Sequence, residues 1–293
     1  MKYSEIVIIF NPHSTGPSAD MAKQLKSQLQ ETHPSVSVKL LATKYSGHAE
    51  KLAYKAAIKA KQPLIISASG DGGYNEVING AVAAIHEGAD PICAVLPAGN
   101  ANDHSRTVHS RPLIELIKQA KITRIDLLKV EVSEGTKTRI RYAHSYIGMG
   151  LTPVVAAELN KTTLNALKEA WIVIKTFIKF RPFKLIIDDK VTKLDSIIFA
   201  NIGQMAKILT LSTAAKIDDG RFEVIILPHA SKLRLVTLFS KAAFTGLKPK
   251  KYQSFEFSLI KKIPVQFDGE VVFFNARSHV KVTAEKKILK SIV

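Results

Sequence analysis

Cysteine is almost absent, with Cys93 the single one in 293 residues. That excludes an intrachain disulfide framework and any metal site built on cysteine clusters, and it fits a reducing compartment. The setting of Cys93, Pro91 to Pro97, reads as a buried strand. Long apolar runs are missing too: no segment offers the roughly 18 uninterrupted apolar residues of a membrane-spanning helix. The opening stretch, Met1 to Pro12, holds only the short run Ile6 to Phe10 and lacks a signal peptide's apolar region and cleavage site. The expectation is a cytoplasmic protein, at most peripherally associated with a membrane. Acidic residues are scarce: 25 Asp+Glu against 42 Lys+Arg give a net charge of +17. Such a chain is drawn to polyanions, either nucleic acid or an anionic membrane surface. Helix-turn-helix, zinc-finger and RNP signatures are lacking, so no nucleic acid partner is expected. Fixed-period repeats, low-complexity tracts and extended linkers are lacking as well.

What is present is a globular composition, 46% hydrophobic and 23% charged, long enough for one large core or two ordinary ones. The first part alternates. Strands are predicted at 6–10, 36–41, 64–68 and 92–96, and helices at 18–30 (with Ser18 as N-cap), 49–60, 74–86 and 113–118. This pattern predicts a parallel sheet covered by helices, with ligands outside the carboxyl ends of the strands. The unusual loops fall at those ends: Asn11 to Gly16, Ala42 to Lys44, Gly70 to Gly73, and Pro97 to Asp103. From about Ile125 the texture changes to many short strand-like runs and one helical stretch, Leu164 to Phe180, with Trp171 on its apolar stripe. A second, antiparallel β-rich domain is expected there.

The stretch Leu64 to Val82 raises the question of function. An apolar strand breaks into Ser69-Gly70-Asp71-Gly72-Gly73 and resumes as a helix. Two readings stand: a tight strand-to-helix turn, or a phosphate cradle at a helix N-terminus with an acid in it. The dinucleotide fingerprint fails at Asn75, where glycine is required, and a P-loop Gly-Lys-Ser/Thr is absent.

The ordered motifs resemble a known family. Ser69 to Gly80, reading SGDGGYNEVING, resembles the GGDGTxNEVxNG signature of the diacylglycerol kinase catalytic domain. Leu96 to Arg106 resembles its LPxGTxNDFAR, Asn11 to Ser14 its NPxSG, and Thr43 with Gly47-His48-Ala49 its T…GHA. Ala215 to Phe222 resembles its A-x-x-DDG segment, and Asp268-Gly269-Glu270 its D-G-E. The superfamily includes bacterial soluble lipid kinases and sphingosine and ceramide kinases.

The resemblance implies an α/β nucleotide-binding domain at 1–124, with 283–293 returning to it, and a β-rich lipid-binding domain at 125–282. This is the two-domain architecture of lipid and NAD kinases, with ATP and lipid meeting between the domains. The implied activity is transfer of the γ-phosphoryl group of ATP, with Mg²⁺, to a lipid hydroxyl, diacylglycerol or a related lipid. Implied nucleotide contacts are Asn11, Pro12, His13, Ser14, Thr15, Thr43, Gly70, Asp71, Gly72, Gly73, Tyr74, Asn75, Glu76, Gly99 and Asn100. Asp71 suits Mg²⁺ ligation or proton removal, and an Asx-type turn cap is its structural alternative. A second Mg²⁺ is implied at Asp219 and the backbone of Lys216 and Arg221, against an ordinary Asp-Gly turn. The general base is implied at Asp268 or Glu270. Glu76 and Asn79, on one helix face, order the loop. His13 and His48 read as loop and first-turn residues. Asn102 and Asp103 read as a helix cap. The basic run Lys248 to Lys251 is either a headgroup contact or a solvated loop.

Departures are Gly73 for the family's Thr, Ser69 for its first Gly, Asn100 for a second Thr, and Lys207 and Ile208 where glycines are expected. They leave open a catalytically weak lipid-binding member of the family. A kinase of a soluble substrate such as NAD, and a homodimer, stay open too.

Overall fold

The structure is a computed structural model, and it describes residues 3–14, 16–151, 181–205, 209–231, 237 and 249–293. Thr15, the predicted helix around Trp171, Lys207, Ile208 and Lys248 lie outside the described residues. The chain divides into two compact units, residues 1–126 with 286–293, and residues 127–285.

The first unit is the α/β half. Strand β1 (Ile6–Phe10) pairs in parallel with β2 (Val38–Ala42) and β3 (Leu64–Ser69). Strand β3 pairs in parallel with β4 (Ile92–Pro97), and the end of the last strand, β17 (His279–Ile292), lies parallel to β4 through Lys290 and Ser291. Ile6, Ile8, Leu64, Ile65, Ile66, Ile92 and Ala94 are fully buried. Such continuous apolar runs suit strands covered on both faces. The covering helices are α1 (Ser18–Thr32), α2 (His48–Lys59), α3 (Asp71–His86), α4 (Asp103–Val108) and α5 (Leu113–Gln119). Helix α1 buries Ala22, Leu25 and Leu29, and α2 buries Ala49, Ala53, Ala56 and Ala57, each along one apolar stripe.

The second unit is antiparallel. It contains the end of β5 (Ile122–Glu134), then β6 (Lys137–Ala143), β7 (Tyr146–Gly150), β8 (Phe183–Ile187) and β9 (Lys190–Ala200). After these come β10 (Gln204–Met205), β11 (Leu209–Thr210), β12 (Phe222–Pro228), β13 (Lys250–Tyr252), β14 (Ser254–Leu259), β15 (Ile263–Phe267) and β16 (Glu270–Phe274). Strand β9 is central, hydrogen-bonded to β7, β8 and β12; β7 carries β15, β15 carries β16, and β14 joins β8 to the first half of β17. Its core holds Phe199, Phe222, Phe257 and Phe267, with Phe199 stacked on Phe257 at 5.9 Å between ring centroids.

Three local expectations need correction. Helix α3 begins at Asp71, not Tyr74, so Gly72 and Gly73 form its first turn. Ser18 is not an N-cap: it lies inside α1 and donates its hydroxyl to the Ala68 carbonyl of β3 at 2.5 Å. Asn102 provides no side-chain cap to α4. Its left-handed backbone (φ 53) instead turns the chain into that helix.

Cys93 is fully buried in β4, and burial pushes its thiol pKa up to about 12. A thiolate is the reactive form. Aryl disulfide reagents are therefore expected to label Cys93 only at the rate of global unfolding. Rapid labelling of the native protein would show that β4 is not packed in this way.

Candidate active site

The register places the carboxyl ends of four strands on one edge: Phe10 lies opposite Ala42 and Ala68, and Ser69 opposite Pro97. The four loops of the sequence analysis leave from this edge. In the first, Asn11 Oδ1 accepts the His13 amide at 2.9 Å, and the Ser14 hydroxyl donates to the Gly16 carbonyl at 2.9 Å. Asn11, Pro12 and His13 are exposed. In the second, the Thr43 amide donates to the Phe10 carbonyl and holds the half-buried Thr43 beside the first loop. His48 opens α2, and its Nδ1 accepts the Lys44 amide at 3.0 Å.

The third and fourth loops touch backbone to backbone. A β-carbon on Gly99 would run into the Cα and amide nitrogen of Gly70, so position 99 must be side-chain-free, and one on Gly70 would crowd Gly99 at 3.1 Å. The Ala98 amide donates to the Ser69 carbonyl at 3.0 Å. Asn102 clasps Gly99 on both sides, its Oδ1 accepting the Gly99 amide at 2.9 Å and its Nδ2 donating to the Gly99 carbonyl at 2.8 Å. Asn100 is exposed at the tip.

Two carboxylates in the first turns of α3 tie neighbouring helices to it. Asp71 Oδ2 accepts the Asp103 amide at 3.0 Å, and its Oδ1 the His104 amide at 3.1 Å. Asp71 thus supplies the cap that Asn102 does not. Glu76 Oε1 accepts the Gly47 amide at 2.7 Å and its Oε2 the Ala49 amide at 3.1 Å, so Glu76 caps α2. A carboxylate at a helix N-terminus meets both orphan amides and the positive end of the helix dipole. Asn79, on the same face, donates to the Asn75 carbonyl within its own helix. Tyr74 and Asn75 are fully buried, and the Tyr74 amide donates to the Gly70 carbonyl, so both hold the helix and neither faces a ligand.

Gly70 is the N-cap of α3 in an extended conformation. The first amides of an α-helix have no intrahelical partner, and α3 is 16 residues long. Gly72 and Gly73 leave that end uncovered by side chains. The arrangement suits an anion of several oxygens, such as a polyphosphate.

The departures at 69 and 73 are linked. A β-carbon on Gly73 would stand 2.6 Å from Ser69 Oγ and 2.7 Å from its Cβ. The Ser69 side chain fills the space that a residue at 73 would need. Its hydroxyl bonds Ser67 Oγ at 2.7 Å and the Gly70 carbonyl at 2.9 Å. The family pattern has a hydroxyl at 73 and none at 69, and this chain has the reverse. One hydroxyl has moved one helical turn along the same turn of structure.

In the second unit, Asp268 is fully buried with a left-handed backbone (φ 47). Its carboxylate accepts the amides of His144, Ser145 and Tyr146 at 2.8–2.9 Å. Glu270 is partly exposed, and its Oε2 accepts from the Arg141 guanidinium at 3.0 Å. Arg141 has no signal in the sequence, because it lies 129 positions from Glu270 and meets it only in the folded unit. Asp219 Oδ1 accepts the Arg221 amide at 3.0 Å in an Asp-Gly turn, and its Oδ2 pairs with Lys251 at 2.7 Å. Lys216 is exposed.

The exchange at 69 and 73 has a direct test. Gly73→Thr alone is expected to lose about 1–3 kcal/mol by overpacking against Ser69. Ser69→Gly combined with Gly73→Thr restores most of it, as read by urea denaturation. A Gly73→Thr protein as stable as the wild type would break the link.

Residues 5–130 match the family model of the diacylglycerol kinase catalytic domain. The chain is 26% identical over 307 residues to a diacylglycerol kinase of Staphylococcus saprophyticus, covering 94% of this chain and 93% of the relative. It is 27% identical over 311 residues to a diacylglycerol kinase of Staphylococcus carnosus, covering 96% and 95%. Among solved structures, the crystal structure of a diacylglycerol kinase from Bacillus anthracis matches with a TM-score of 0.72 at 19% identity, over 100% of this chain and 97% of that one. The motif order, the helix-capping carboxylates of α3 and the family match coincide on one stretch, and residues 5–130 are similar to the diacylglycerol kinase catalytic domain.

Proposed function

We propose that the protein is an ATP-dependent lipid kinase that transfers the γ-phosphoryl group to the free hydroxyl of diacylglycerol or a related lipid. The observation that carries this reading is the uncovered N-terminus of α3 at Gly70 to Gly73, inside the stretch that matches the family. The names of the relatives at 26–27% identity point to the acceptor.

Phosphoryl transfer asks the protein mainly to position groups and stabilise charge. In this reading the amides of Gly70, Gly72 and Gly73 cradle phosphate. Asn11, Ser14, Thr15, Thr43, Gly99 and Asn100 line the phosphates and ribose, and Pro12 and His13 shape the first loop. The buried Tyr74, Asn75 and Glu76 act through the backbone they hold. Among the described residues no group of three or more His, Cys, Asp or Glu is placed to hold a metal. Mg²⁺ would come with the nucleotide, and Asp71 is the carboxylate proposed to help hold it. The ion neutralises charge on the transferring group. The Asp103 and His104 amides fix where the Asp71 carboxylate stands.

Of the two carboxylates named for proton removal, Glu270 is proposed as the base. A base must come within hydrogen-bond reach of the hydroxyl. Asp268 is enclosed and committed to three amides, whereas Glu270 is partly exposed, with Arg141 to orient it. The first unit is the proposed nucleotide-binding domain and the second the proposed lipid-binding domain.

Among the described residues no helix is long and apolar enough to cross a membrane. The net charge of +17 supports attraction to an anionic surface.

The test is incubation with γ-labelled ATP, Mg²⁺ and mixed micelles of diacylglycerol, phosphatidylglycerol, sphingosine or ceramide, with NAD as a soluble acceptor. Label in one lipid is expected, with Glu270→Gln lowering turnover by about 10²–10⁴. ATP binding with no lipid labelled would replace the reading by that of a lipid-binding protein, and label in NAD by that of a soluble-substrate kinase. Salt separates the two parts of the proposal. Screening is expected to weaken binding to anionic vesicles steeply, while ATP affinity, resting on backbone amides, changes little.

A further inference from the structure

The segment Ser212 to Arg221 is where the resemblance implies a divalent ion, with Asp219 as its carboxylate. The donor set does not fit one. The Lys251 ammonium sits there, donating to Asp219 Oδ2 at 2.7 Å and to the Ala214 carbonyl at 2.8 Å, with Glu223 Oε1 at 3.6 Å. An ammonium has three hydrogens and no acceptor. Here those hydrogens face two carboxylates and a carbonyl.

The oxygens are themselves fixed. Asp219 Oδ1 accepts the Arg221 amide, Glu223 is buried and accepts from the Ser212 hydroxyl at 3.4 Å, and Ser212 Oγ accepts the Ala214 amide at 3.1 Å. Lys251 is fixed from its own side. Strands β12 and β13 pair antiparallel with Glu223 directly opposite Lys251, which puts opposite charges at the closest cross-strand position. Mg²⁺ needs about six oxygens at about 2.0–2.1 Å in near-octahedral order. An ion on Asp219 would meet an ammonium already bonded to the same carboxylate.

We infer that the Lys251 ammonium is the resident cation of the Ser212–Arg221 segment, a tethered replacement for a divalent ion, so that the second unit holds this turn with no metal bound. Lys251 is thereby also withdrawn from the basic run that would meet headgroups. The inference concerns folding and metal content and stands whether or not the lipid-kinase reading holds.

The full chain, nucleotide-free and dialysed against EDTA, tests it. Thermal unfolding of the wild type is expected to be the same in EDTA and in Mg²⁺. Mn²⁺, followed by electron paramagnetic resonance, is expected to bind the wild type and Asp219→Asn equally. Lys251→Met is expected to lower Tm by about 2–4 °C. Adding Asp219→Asn to Lys251→Met is expected to lower it no further, the signature of two residues acting as a pair. A Mn²⁺ site in the wild type that Asp219→Asn removes would overturn the inference. So would a wild-type Tm that falls in EDTA, or a Lys251→Met protein as stable as the wild type.

Discussion

The first unit depends on the two carboxylates that α3 sends to its neighbours. A helix N-terminus exposes four amides without intrahelical partners, and α2 and α4 both begin in loops that carry no capping side chain of their own. Glu76 serves one and Asp71 the other, each with both oxygens. Hydrogen bonds to a charged group are worth about 1.5–3 kcal/mol. These bonds therefore set where the second and fourth loops stand. With α4 drawn to Asp71, Gly99 is pressed against Gly70, and Asn102 locks it there. The edge of the sheet becomes one rigid rim instead of four independent loops.

The same bonds give Asp71 a structural duty in a place where sequence pattern suggests chemistry. The two are not exclusive, because the capping bonds fix the carboxylate at the edge of the sheet. They are also coupled: any change at Asp71 moves the fourth loop as well as removing a charge. The exchange of Ser69 and Gly73 shows how tight the rim is. There is room for one side chain between residues 69 and 73, and the chain places it on the strand side.

Much of this was legible in the sequence because the first unit is locally encoded. Each strand is a short apolar run and each long helix a single apolar stripe, so β1, β3, β4, α1 and α2 were placed to within about two residues. The start of α3 was not, because glycine propensity argues against helix while the anchoring at Gly70 imposes it. Helix α4 reads only as a cap, since five polar residues and one valine carry no stripe. Strand β17 was seen only in its first five residues. Its middle, Glu285-Lys286-Lys287, breaks the alternation, and Lys287 has a left-handed backbone (φ 49). What holds it there is remote: the Lys287 amide donates to Asp126 at 2.7 Å. The partners Arg141–Glu270 and Lys251–Asp219 share this character. Residues 129 and 32 positions apart meet through the tertiary fold, and no local pattern announces such a meeting.

Charge is distributed with the same economy. The loop segments 69–73 and 97–103 contain no lysine or arginine, in a chain that has 42 of them. Fixed dipoles take their place. A helix N-terminus and its bare glycines offer an anion partial charges that need no reorganisation and cannot swing away, and they leave room for a metal-bound phosphate that a lysine would crowd. Where the chain does set an ammonium among polar groups, at Lys251, two oxygens hold it, Asp219 Oδ2 and the Ala214 carbonyl. The third and fourth loops thus carry no lysine or arginine, while the second ends on Lys44.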